Sequence, residues 1–117
     1  MRIGIVGSRR RLDKENIIAY VDTLSPETDV LVSGGCCGVD TWAEERAKER
    51  GIRTIIFKPD LRNTKDRADV VNRYYERNKK IVEYSAIIIA FVHEDRTGGT
   101  ENTIKWAKEL DVPVILK

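Results

Sequence analysis

Three segments of the chain combine glycine with hydroxyl and guanidinium groups in the way that anion binding requires. Gly7-Ser8-Arg9 follows a first apolar run, and Ser33-Gly34-Gly35-Cys36-Cys37-Gly38-Val39-Asp40 follows a second. Arg96-Thr97-Gly98-Gly99-Thr100-Glu101 comes soon after a third. Glycine lets backbone N–H groups approach an anion closely. Where such a loop opens a helix, the unpaired N–H groups of the first turn add partial positive charge. Ser8 and Thr100 offer hydroxyls, and Arg9 offers a planar fork that matches a phosphate. Neither glycine loop is a dinucleotide fingerprint or a Walker loop, because G-x-G-x-x-G and Gly-Lys-Ser/Thr are both absent. The only two cysteines, Cys36 and Cys37, are adjacent, and His93 is the single histidine. That set lacks the spacing of a zinc site, so no metal is expected, and the cysteines read as small residues of a tight turn.

The elements that must position these loops follow from the apolar pattern. Ile3 to Val6 reads as a buried strand ending at Gly7. Asp13 is placed to cap a helix running to about Leu24, with Ile17, Ile18, Val21 and Leu24 on one face. Val30 to Val32 is the second strand. A helix from about Val39 to Arg50 turns Val39, Ala43 and Ala47 inward and stops at Gly51. Thr54 to Phe57 is the third strand, ended by Pro59. A long polar helix spans roughly Asp66 to Glu83, and Ala86 to Phe91 is the most apolar strand, expected to be buried throughout. Thr100 to Leu110 forms the last helix and Pro113 to Leu116 the last strand.

Strands and helices therefore alternate. Near-continuous apolar strands imply burial on both faces, hence a parallel sheet. Right-handed crossovers then give a three-layer α/β sandwich of Rossmann-like form, with five strands in the order 3-2-1-4-5. In such sheets ligands bind beyond the carboxyl ends of the strands, at the switch point, here between the first and fourth strands. All three glycine segments end up there. The long helix needs one geometric step. A five-residue strand spans about 17 Å, which takes about 11 helical residues. Counting back from Ser85 puts Tyr74 to Asn78 near the ligand end, with earlier residues overhanging the pocket rim or packing on a partner. Asn78 is then placed to read a base or a ribose hydroxyl.

Composition limits the class of protein. The chain has 117 residues, 41% hydrophobic and 34% charged. It is one domain, 1–117, large enough for its own core. No apolar run approaches the roughly 20 residues of a spanning helix. Met1 to Gly7 reads as a strand and not as a signal peptide, so a cytoplasmic location is expected. The net charge of +2 is too small for bulk nucleic-acid binding. The charge is nonetheless uneven. Residues 53–80 hold nine basic and four acidic side chains, so the rest of the chain is acidic by three. That pattern suits a local anion site.

Taken in order, these motifs resemble the SLOG superfamily, which includes the Smf/DprA proteins and the Lonely guy enzymes, and within it the small stand-alone YspA-like group. The resemblance rests on Gly7-Ser8-Arg9, Gly34-Gly35-x-x-Gly38-Val39-Asp40, Pro59-Asp60, Arg77-Asn78, Ile88 to Phe91, Gly99-Thr100 and Val112-Pro113-Val114. It implies a nucleotide or nucleotide-derived small molecule as the bound partner, with no required cofactor, and a homodimer. Ligand contacts are then expected from Gly7, Ser8, Arg9, Gly34, Gly35, Gly38, Asp40, Arg77, Asn78, Gly98, Gly99 and Thr100. Lonely guy enzymes cleave the N-glycosidic bond of nucleoside monophosphates with a Glu in the loop Pro-Gly-Gly-x-Gly-Thr-x-x-Glu. Here Thr103 stands where that Glu would be. Glu101 is the displaced acid and the candidate catalytic residue, with Asp40 and Asp60 as the other acids near the site. A binding module, an N-glycosidase and a single-stranded DNA binder are thus the three functional classes, in that order.

Overall fold

The computed structural model describes residues 1–117. Nine elements alternate along the chain: β1 (Arg2–Gly7), α1 (Lys14–Val21), β2 (Val30–Ser33), α2 (Val39–Glu49), β3 (Arg53–Ile56), α3 (Arg67–Tyr84), β4 (Ile87–Phe91), α4 (Gly99–Glu109) and β5 (Val114–Leu116). The five strands form one sheet in the order β3-β2-β1-β4-β5, with every neighbouring pair parallel.

Strand periodicity divides the core in two. Ile3 and Ile5 of β1, Leu31 of β2 and Ile89 and Phe91 of β4 face one side. They pack there with Ile17 and Val21 of α1 and Val39, Ala43 and Ala47 of α2. Val6, Val32, Ile88 and Ala90 face the other side and meet Ile81 and Val82 of α3 and Ala107 of α4. Each helix pair thus covers one face of the sheet. The register aligns Gly7 with Phe91, so β1 and β4 end level, and the loops that leave them start side by side.

Three expectations need correction. Burial on both faces holds for β1, β2 and most of β4, but not for the edge strands, where Ile56, Ile115 and Leu116 are exposed. An edge strand has a neighbour on one side only, and short helices do not reach over it. In the fourth strand, Ala86 is exposed and Ile87 half-buried, so burial starts at Ile88. Finally, Asp13 does not cap α1 with its side chain. Its carboxylate is held by Arg11 at 2.6 and 2.8 Å and by the Asn16 amide at 2.7 Å. The helix itself ends at Val21, and a turn carries Leu24 into the core. In α3 a side chain does cap the helix: the Asp66 carboxylate accepts from the Asp69 N–H at 2.9 Å.

Candidate functional site

A cavity of about 610 Å³ opens at the carboxyl end of the sheet, where the end of β1 meets the start of α4. That volume lies within the roughly 300–1,000 Å³ of small-molecule sites. One wall is Gly7, Ser8, Arg9 and Arg10 after β1, and the opposite wall is Thr97, Gly98, Gly99, Thr100 and Thr103 at the start of α4. Arg67, Val70, Val71, Tyr74, Tyr75, Arg77, Asn78 and Ile81 of α3 close the long side, and Cys36 and Asp40 line the remaining edge.

The α4 wall is built for an anion. Gly98 stands at the N-cap with φ +96, a conformation that side chains rarely adopt, and no side chain caps the helix. The first N–H groups of α4 therefore have no intrahelical acceptor, and the cavity lies against them. Across from them, the Ser8 oxygen accepts from the Arg10 N–H at 3.1 Å, which leaves its hydroxyl proton to donate. Arg9 is exposed, and its guanidinium makes one hydrogen bond, to the Cys36 sulfur at 3.7 Å. Arg10 is committed to Asp95 in an ion pair.

The second glycine loop behaves differently from its reading in the sequence. Gly34, Gly35 and Gly38 do not line the cavity. The loop already holds an anion of its own: the Asp40 carboxylate accepts from the Cys36 N–H at 3.1 Å, and the Thr41 hydroxyl closes the turn onto the Cys36 carbonyl at 2.7 Å. Gly35 faces β3, where a Cβ would stand 3.0 Å from Ile56 and 3.2 Å from Lys58. At Gly34 a Cβ would press on the Arg77 guanidinium at 2.7 Å. These glycines allow close packing of the chain against itself.

Asp40 is 7% exposed and is the one acid lining the cavity. Burial pushes its pKa up to about 6, and the nearby Glu44 carboxylate adds to the rise, while the Cys36 N–H and Arg77 oppose it. Glu44 is also raised, chiefly by burial, against the Ser33 hydroxyl that donates to it at 2.8 Å.

Arg77 and Asn78 are both buried, and their polar groups are turned to the protein. Arg77 Nη1 donates to the Gly34 carbonyl at 2.6 Å and to the Phe57 carbonyl at 3.3 Å. Its Nε donates to Asn78 Oδ1 at 3.0 Å. Asn78 Nδ2 in turn donates to the Gly99 carbonyl at 3.4 Å and to Asn102 at 3.2 Å. One dipeptide of α3 thus ties the loop after β2 to the first turn of α4. The amide placed by sequence to read a base spends its hydrogen bonds on positioning instead.

The structure does not bring the other acids to the cavity. Glu101 pairs with Arg96 at 2.8 Å and is absent from the lining. Asp60 is exposed and held by the Arg62 fork, which keeps its carboxyl below the ordinary range. His93 sits 3.3 Å from Asp95, beside the Arg10 pair and outside the lining. The sequence put the residues before Tyr74 at the rim without singling out Arg67, Val70 and Val71, which line the cavity. Their spacing with Tyr74, Asn78 and Ile81 is that of one helical face, and that signal was available.

Comparison with known proteins agrees with this architecture. The chain belongs to the YspA, cpYpsA-related SLOG family, whose model matches residues 1–63. The match covers the β1 and β2 loops and ends before α3. No curated protein sequence matches the chain significantly. Among solved structures, DNA processing protein A (DprA) from Streptococcus pneumoniae superposes with a TM-score of 0.79 at 19% identity, covering 98% of this chain and 49% of that one. This chain therefore spans about half the length of DprA. The protein TM1055 gives 0.72 at 16% identity, covering 97% of this chain and 71% of that one. The C-terminal domain of the PF1911 hydrogenase from Pyrococcus furiosus gives 0.54 at 16% identity, covering 99% and 90%. At these identities the likeness is one of fold. No helix is long and apolar enough to cross a membrane.

Proposed function

We propose that this protein binds a nucleotide or nucleotide-derived small molecule in the cavity between the end of β1 and the start of α4, as a sensor or ligand-binding module. The observation that carries the reading is the uncapped start of α4 facing Ser8 and Arg9 across one cavity. A phosphate there meets backbone N–H groups, two hydroxyls and a guanidinium with no carboxylate partner. The apolar side chains of α3 run from that point along the same cavity and suit a ribose and base. Family membership supports the reading, since the resemblance that led to it implies nucleotide-derived ligands.

Removing Arg9 should be felt directly. It deletes a charge-assisted hydrogen bond worth roughly 1.5–3 kcal/mol, which is about 10- to 150-fold in affinity. Isothermal titration of nucleoside monophosphates into wild type and Arg9→Ala reads this. Equal affinity in the two proteins would place the anion elsewhere.

One observation favours hydrolysis of the N-glycosidic bond as a second reading: Asp40 lies in the lining with a pKa of about 6, so a fraction is protonated near neutral pH, as a general acid requires. Base release from a nucleoside monophosphate, followed by chromatography, separates the two readings. The binding-module reading expects none from wild type. Glu101→Gln should leave binding near wild type, because Glu101 faces Arg96. A large loss of base release in that variant would instead make Glu101 the acid.

A further inference from the structure

We propose that the cavity has a second anion subsite at Arg67, and that it takes an elongated nucleotide bearing an acidic substituent on its base. The inference deepens the nucleotide-binding reading and rests on it. Arg67, Val70, Val71, Tyr74, Asn78 and Ile81 all line the cavity, and their spacing is that of a single face of α3. The helix therefore orders the subsites along its axis. Asn78 marks the phosphate end, since its amide touches the Gly99 carbonyl at 3.4 Å. Arg67 lies 11 residues earlier, about 16 Å away at 1.5 Å per residue. Between them the lining presents Val70, Val71 and Tyr74, and its one charge, Arg77, is committed to the protein.

The charge at the far end is uncommitted. Of the other arginines in the lining, Arg9 stands at the phosphate end, Arg10 is held by Asp95, and Arg77 by Gly34, Phe57 and Asn78. Arg67 is exposed and makes no hydrogen bond or ion pair with any side chain, its neighbouring acids included. Those neighbours have other work: Asp66 accepts from the Asp69 N–H, and Asp69 accepts from the Lys65 N–H at 2.9 Å. Neither lines the cavity. A phosphate at the start of α4 sends a ribose and base along the apolar stretch. A simple nucleoside monophosphate ends there and gives Arg67 nothing to bind. A carboxylate or phosphate on the outer edge of the base would meet it.

The test compares two probes, adenosine 5′-monophosphate and its N6-succinyl derivative, by isothermal titration into wild type, Arg67→Ala and Arg67→Glu. Arg67 has no partner in the fold, so these variants should unfold as wild type does. In wild type the succinyl probe should bind about tenfold more tightly than the monophosphate. Arg67→Ala should remove that advantage without changing the monophosphate, and Arg67→Glu should reverse it. Equal affinities of the two probes in wild type, or equal weakening of both by Arg67→Ala, would overturn the subsite. If the monophosphate still binds and Arg9→Ala weakens it, the nucleotide reading survives that failure. If neither probe binds wild type, both fall.

Discussion

Replacing Arg77 with Ala is expected to destabilise the fold by about 3 to 5 kcal/mol, because it orphans three buried acceptors at roughly 1–3 kcal/mol each. Two independent losses add up here. The Gly34 and Phe57 carbonyls and the Asn78 side chain lose their donor in a site that water does not reach freely. Asp40 also loses the cation that favours its charged form. Arg77→Lys should recover only part of the effect, because an ammonium cannot present a planar fork to three acceptors. Urea unfolding followed by circular dichroism reads the change as a shift in midpoint at constant slope. A shift worth under 1 kcal/mol would mean that the two loops hold their positions without Arg77. The functional consequence is indirect. Arg77 and Asn78 fix the Gly34 loop and the first turn of α4 to one helix, so loosening either should blur the geometry of the α4 anion site.

Asp40→Asn is expected to act in the opposite direction and to depend on pH. Asp40 has a folded-state pKa raised from 3.8 to about 6. Between those values the folded protein holds a proton that the unfolded chain has released, so stability falls as pH rises through the window and is lowest above it. At about 1.36 kcal/mol per pKa unit, the cost at neutral pH is ~3 kcal/mol. Asparagine keeps an oxygen for the Cys36 N–H and carries no charge, so the variant should be the more stable protein at pH 7. Its advantage should shrink to nothing below about pH 4. Thermal melts of both proteins between pH 4 and pH 8 measure the difference. A constant offset across that range, or a less stable variant at pH 7, would contradict the account. Such a gain from neutralising a buried acid would also suggest that Asp40 is retained for what it does in the cavity, in line with the trade between stability and function.

The sheet could be read from the chain because its signals were redundant. Ile3 to Val6, Val30 to Val32 and Ile88 to Phe91 are apolar on both faces, as a covered parallel strand must be, and glycine follows the first two closely, at Gly7 and Gly34. Strand order followed from handed crossovers. The candidate site was only half legible, for a physical reason. Gly98 and Gly38 look alike in sequence, and both take a positive φ at a helix start. Only tertiary contacts decide which loop stays open. Asp40 and Arg77 fill one from within, and nothing fills the other. Arg77 and Asn78 were placed at the right height on α3, yet the direction of their polar atoms depends on loops distant in sequence. The stripe from Arg67 to Ile81 was readable as a period but had no partner in view until the cavity was formed.

The central claim is that the open start of α4 is where the ligand's anion rests, and Gly99→Val tests it most directly. A Cβ at Gly99 would meet only the Asn78 amide, at 4.0 Å, so the domain should fold with nearly the wild-type melting temperature. The side chain would nonetheless stand in the mouth of the anion site. Isothermal titration of the ribonucleoside monophosphates should show binding to wild type and a loss of about 100-fold or more in Gly99→Val. Equal binding by two equally stable proteins would contradict the account.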